Sequence, residues 1–328
     1  MNYVRQALPK VKISRVYAYE PAGSERAAAA GAPYMLLEGF YGNTLLDVEF
    51  DMCFLPESTQ EHIMSQWTQM QTEIATISLP GIGSIAGLSP EGEPILGRLA
   101  SAKAEGLLEE GPFETSVAFF RAVADAAVRR VAPANAASPT ISWADLGRLV
   151  FSDIVQNTVL YADNCDKFPL NHMDLGTQNI LVDDDFNFLA AIDWEFAQTA
   201  PWAVNYYPMP FPLRQSDAAL ERILNDPEHI GNRNFTLRNR SQKLYVSKFR
   251  EAEAALKLAG RGLAGSFAAV LDGAPSRIHA CFTNLENQPQ DDEDLVREMV
   301  RLAFGCEGTT ADKYLDAVRA KAGTPRNP

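Results

Sequence analysis

Residues 171–195 read NHMDLGTQNILVDDDFNFLAAIDWE, and no other stretch limits the fold so narrowly. Two short apolar runs, NILV (179–182) and FLAAI (188–192), flank the acidic segment DDDFN. Runs of this length bounded by turn residues read as strands. Acidic residues and Asn favour a turn between them. A hairpin centred near Asp185 sets Asn179 opposite Ile192. Asn179 and Asp193 then stand side by side at its open end, and Asp174 lies on the loop entering the first strand. Three oxygen-bearing side chains therefore converge at one end of a small hairpin.

That convergence suits phosphoryl transfer. Magnesium takes oxygen ligands and keeps several waters, so one carboxylate and one amide oxygen beside nucleotide phosphates make a site. A separate carboxylate can accept the proton of an acceptor hydroxyl or orient that hydroxyl. Kinase catalytic loops place an Asp, an Asn five residues later, and a metal-binding Asp further on. Here the corresponding residues are His172-Met173-Asp174, Asn179 and Asp193. Asp174 taken alone could simply cap a turn; its spacing to Asn179 and Asp193 favours the chemical role. Asp183, Asp184 and Asp185 read as a solvated turn, His172 as a structural hydrogen-bonding residue, and Trp194 as packing. Glu195 is left open between supporting the site and capping the next element.

The remainder of the chain predicts a helical body with a few short strands, an α+β arrangement rather than an alternating βαβ array. Strands are expected over 14–20 and 34–40 as an antiparallel pair, with PAGSERAAAAGAP between them as a loop. A small hairpin is expected within 79–99. Helices are expected over 58–77, 114–131, 141–161, 215–225, 236–260, 263–271, 274–286, 292–304 and 310–321. The first has a capping-box spacing at Ser58 and Glu61 and a core face of Ile63, Trp67, Met70 and Ile74. The formal net charge of −13 repels phosphate backbones and anionic lipid, so nucleic acid and membrane surfaces are not expected partners. Cys53, Cys165, Cys281 and Cys306 are dispersed, which argues for reduced thiols and against a zinc site. Neither a membrane span nor a signal-peptide core is evident, so a cytoplasmic protein is expected.

With these residues in view, the chain resembles the aminoglycoside phosphotransferase and choline kinase family of the protein-kinase-like fold, and its fungal-type members in particular. The family loop is commonly His-Gly-Asp-x-x-x-x-Asn, and Ile-Asp-Trp-Glu stands where protein kinases have Asp-Phe-Gly. YMLLEGFYGNTL looks like the interlobe linker; GIGSIAGL, GPFETSVAFFRA and IDWEFAQTAPW follow in the expected order. The similarity spans about residues 1–210. It implies a remnant N-lobe over 1–42 and a mostly helical C-lobe over 43–328. It also implies Asp174 as catalytic base, His172 as a brace for its loop, and Asn179 and Asp193 as Mg2+ ligands. The backbone at Leu36, Leu37 and Glu38 would face the adenine of ATP, and a small-molecule hydroxyl would be the acceptor. Met173 departs from the family Gly; it is expected to matter little by itself and to narrow the acceptor pocket.

The resemblance also exposes a gap. A kinase-like N-lobe opens with a Gly-rich loop, a phosphate-contacting Lys and a helix whose Glu holds it. No Gly-rich sequence precedes the first strand signal, and Lys10 and Lys12 stand too near the linker to replace that Lys. The expectation is a family member whose first N-lobe strands are missing, impaired as a kinase as written. The alternative is a non-catalytic pseudokinase that binds a ligand or a protein partner.

Overall fold

The computed structural model describes residues 1–100, 107, 110–131, 141–162, 165–208, 211 and 216–322. It is an α+β protein, helix-rich with four small antiparallel sheets among the described residues. Its apolar residues gather into two clusters. One is built on the helices Ser116–Arg129, Trp143–Asn157, Ala274–Thr283, Asp292–Phe304 and Gly308–Ala322. The other joins Val4, Leu8, Val11 and Ile13 to the helix Glu57–Ala75, the 180–191 hairpin and the long helix Asn232–Leu258.

The strand Phe168–Asn171 links the two cores. Phe168 belongs to the first cluster and Leu170 to the second, and all four of its residues are buried. It is the middle strand of a three-stranded sheet, with Ser78–Leu79 on one side and Gln198–Thr199 on the other. No strand is expected here from the sequence; Pro169 lies within it, and a proline donates nothing to a ladder. Its carbonyl does the pairing instead, accepting from the Ala200 amide at 3.1 Å.

A second sheet carries the expected hairpin. Ile180–Val182 pairs with Phe188–Ala191, Ile180 opposite Ala191, and Asn43–Thr44 adds a third strand beside Ile180–Val182. The Ala191 amide donates to the Lys12 carbonyl at 3.1 Å, so the N-terminal segment closes part of the outer edge. Gly42 turns the linker into this sheet. A Cβ there would stand 2.6 Å from both the Val182 carbonyl oxygen and Leu189 Cδ1, closer than any side chain tolerates.

Several expectations need correction. The segment assigned as a loop between the first two strands holds a helix, Glu25–Ala30. Ser24 caps it by accepting from the Ala27 amide at 3.0 Å, the alanine run has the highest helix propensity, and Gly31 ends it at a φ of 81°. The strands around it, Val16–Glu20 and Tyr34–Leu37, pair antiparallel as expected, although the second stops at Leu37. The helix Glu57–Ala75 begins at Pro56 with no side-chain cap, so Ser58 lies inside its first turn and forms no capping box. Its core face holds: Ile63, Trp67 and Ile74 are buried and Met70 is half-buried. The helix expected over 263–271 shortens to Phe267–Val270, because Ser266 caps it late by accepting from the Ala269 amide. The small hairpin appears as Ile85–Leu88 with Pro94–Leu96. The four cysteines are free, and no helix among the described residues is long and apolar enough to cross a membrane.

His279, on the helix Ala274–Thr283, sits edge-on to the Phe120 ring at 5.5 Å and beside Phe151 and Phe282. Burial lowers its pKa to about 4. The unfolded chain takes up that proton first, so stability is full above pH 6.5 and declines as pH falls towards the folded value. The decline expected from this group is about 3 kcal/mol. Urea unfolding at pH 7 and pH 5 should show about 2 kcal/mol of it, and His279→Phe should reduce the difference.

Candidate active site

The site begins where Phe168–Asn171 ends. His172 follows, buried, with its ring edge-on to Trp194 at 4.7 Å between centroids. His172 Nε2 lies 2.8 Å from the Ile192 carbonyl oxygen. A carbonyl only accepts, so Nε2 carries the proton and Nδ1 holds a lone pair. Burial lowers the His172 pKa and favours the neutral ring, while the Ile192 carbonyl, Asp174 and Asp193 act in the opposite sense. Both carboxylates therefore lie within electrostatic reach of one imidazole.

Asp174 is held by two amides. Its Oδ1 accepts from Gln178 Nε2 at 3.0 Å, and its Oδ2 accepts from Asn179 Nδ2 at 3.0 Å. Asn179 Nδ2 also donates to the Asp174 backbone carbonyl at 2.7 Å. The nitrogen of Asn179 is thus spent on Asp174, which leaves its Oδ1 as an acceptor. Gly176 makes room for the Gln178 contact: a Cβ there would stand 2.3 Å from Gln178 Oε1.

The Ile192 amide donates to the Asn179 carbonyl at 3.0 Å, which is the register read from the sequence. Asp193 follows directly, exposed, with left-handed backbone (φ 62°, ψ 58°). Asp tolerates this region better than most residues. The structure thus brings His172, Asp174 and Asn179 together and sets Asp193 next to the strand partner of Asn179. Asn179 Oδ1 and the Asp193 carboxylate are oxygen donors of the kind Mg2+ selects. Trp194 is buried and donates from Nε1 to the Ala191 carbonyl at 2.9 Å. Asp183 closes the acidic turn by accepting from the Asp185 and Asn187 amides, and the Asn187 side chain beside it lowers its pKa. Glu195 is exposed.

A cavity of 380 Å³ opens on one side of this group. Asp174, His172 and Met173 line it from the loop, Tyr206 and Tyr207 from the following segment, and His279 from a C-terminal helix. Asn179 and Asp193 do not line it. Sequence reasoning missed Gln178, Asn171 and the two tyrosines; Gln178 had a signal in its spacing of four from Asp174.

No family model matches this chain, and no curated protein matches it. In overall structure it is similar to an aminoglycoside phosphotransferase. The solved structure of aminoglycoside phosphotransferase APH(4)-Ia aligns over 98% of this chain and 81% of its own, at 15% identity and a TM-score of 0.43. A thermostable mutant of the same enzyme, in its apo form, aligns over 98% and 83% at 17% identity and a TM-score of 0.42.

Three expected positions lie apart from the Asp174 cavity. Leu36 and Leu37 are exposed on the strand Tyr34–Leu37, and the Glu38 amide donates to the Arg15 carbonyl at 2.8 Å. Lys10 and Lys12 line a different cavity, and Lys10 Nζ lies 3.9 Å from Glu73.

Met173 costs more than the sequence suggests, because its φ is 67°. An L-residue pays roughly 1–2 kcal/mol in this region, which glycine avoids. Met173→Gly should preserve or raise unfolding stability, and the β-branched Met173→Val should lower it by about 1–2 kcal/mol. Equal losses in chemical denaturation would remove the backbone explanation.

Proposed function

We propose that this chain is an ATP-dependent phosphotransferase of protein-kinase-like fold, acting on a hydroxyl of a small molecule. The observation that supports it is Asp174, which lines the cavity and is clamped by the side-chain nitrogens of Gln178 and Asn179, with Asp193 directly after the strand partner of Asn179. The carboxylate keeps lone pairs beyond those used by Gln178 and Asn179, and these accept the acceptor hydroxyl's proton or fix its direction. His172 ties the Asp174 loop to Ile192, so the base and the turn bearing Asp193 hold a fixed relation. Asn179 Oδ1 and Asp193 would hold Mg2+, which supplies charge neutralisation at the nucleotide phosphates. The adenine is assigned to the face at Leu36, Leu37 and Glu38, where the two leucines offer exposed apolar area.

A second reading is a non-catalytic binding module. It is favoured by the lysines: Lys10 and Lys12 flank a cavity separate from that of Asp174.

Mg-ATP should raise the melting temperature of the chain at millimolar concentration, and Asp193→Asn, which tolerates the same left-handed backbone, should weaken that rise without lowering the ligand-free value. In a phosphotransfer assay Asp174→Asn should lose about 10²–10⁴ in kcat. Undiminished transfer by a folded Asp174→Asn protein would take Asp174 out of the mechanism. Mg-ATP binding without any transfer would favour the second reading.

A further inference from the structure

The cavity beside Asp174 shows which acceptor chemistry it suits. Of its described lining residues, Asp174 is the sole carboxylate, and none is Lys or Arg. The wall is built instead from neutral polar groups whose free atoms can be assigned. Asn171 Nδ2 donates to the Pro169 carbonyl at 3.0 Å and Asn205 Nδ2 to the Trp202 carbonyl at 3.1 Å. Both partners only accept, so each amide is fixed with its nitrogen engaged, and its oxygen is left to accept. Gln71 Oε1 accepts from the Tyr245 hydroxyl, which leaves the Gln71 nitrogen as a donor. The Tyr206 hydroxyl both donates and accepts. Among the described residues no protein donor reaches the Asn171 or Asn205 side-chain oxygen.

A mixed set of donors and acceptors matches groups that do both. Hydroxyls do; an ammonium only donates. A buried ammonium also requires a counter-charge. The one carboxylate present is already clamped by two amides, and under the proposed function it must hold the reacting hydroxyl. Apolar wall at Ile74, Leu170, Val204 and Phe267 suits the C–H face of a saturated ring. The formal net charge of −13 does not alter this, since the charge belongs to the whole chain and the wall carries one acid.

We infer that the acceptor is an uncharged polyhydroxyl compound, a cyclitol or neutral sugar, and that amino-substituted sugars are disfavoured. The inference rests on the phosphotransferase reading for the word acceptor, but the preference itself is a property of the cavity. It is tested with the full chain by ligand-observed NMR titration at pH 7. The probes are myo-inositol and methyl glucosides, each with its amino-substituted and N-acetylated counterpart. Neutral and N-acetylated forms should bind saturably, and each free amine should bind at least about tenfold more weakly, because its charge goes unpaired. Asn205→Asp, checked for an unchanged fold by its melting temperature, should shift the preference towards amines by about tenfold, since it adds the missing counter-charge. Amines that bind as tightly as their hydroxyl parents, no saturable binding by any neutral probe, or an unshifted preference in Asn205→Asp would each overturn the inference. Phosphate transfer from Mg-ATP is followed on the same compounds by phosphorus NMR. Transfer to amino compounds alone would remove the inference and keep the phosphotransferase reading. Saturable polyol binding with no transfer would remove that reading and leave the cavity's preference standing.

Discussion

One side-chain amide organises the site. The two protons of Asn179 Nδ2 are given to a single residue, one to the Asp174 carboxylate and one to its carbonyl. Asn179 is fixed in turn by the Ile192 amide, and the Ile192 carbonyl is bonded to His172, two residues before Asp174. The contacts close a ring: Asp174, Asn179, Ile192, His172 and back along the chain. In such a ring no member shifts alone, and buried members left unpaired are costly. The positive φ of Met173 and of Asp193 fits this picture, since strained backbone persists where surrounding contacts over-determine it.

Much of this ring was legible in the sequence. A hairpin centred near Asp185 sets Asn179 against Ile192, and that register holds at the open end although it shifts between Leu181 and Val182. The long helices were legible for a similar reason, because Ile63, Trp67 and Ile74 repeat at the helical period and are buried. What escaped was decided by contacts that no local pattern encodes. Phe168–Asn171 is a strand because Ser78–Leu79 and Gln198–Thr199 come to it from distant parts of the chain, despite Pro169. Glu25–Ala30, expected as loop, is a short helix whose Ser24 cap, alanines and Gly31 stop lie between flanking Pro and Gly residues. The cavity could not be read at all, since its wall draws on residues from Gln71 to Asn284.

The charge distribution separates two scales. The chain carries a strong excess of acids, yet the wall beside Asp174 is made mostly of amides, phenols and apolar groups. Long-range attraction concerns encounter, whereas selection is settled by the few groups that lose their water on binding. A reading based on net charge alone would favour cationic ligands; the lining favours uncharged ones.

The strand Phe168–Asn171 has a mechanical implication. It is anchored at one end in the helical cluster and at the other in the cluster beneath the hairpin, and it runs straight into the loop bearing Asp174. A close-packed interior transmits displacement instead of absorbing it. Relative motion of the two halves of the molecule therefore has a lever already attached to the Asp174 carboxylate, and a compound wedged between them would grip both ends of that lever at once.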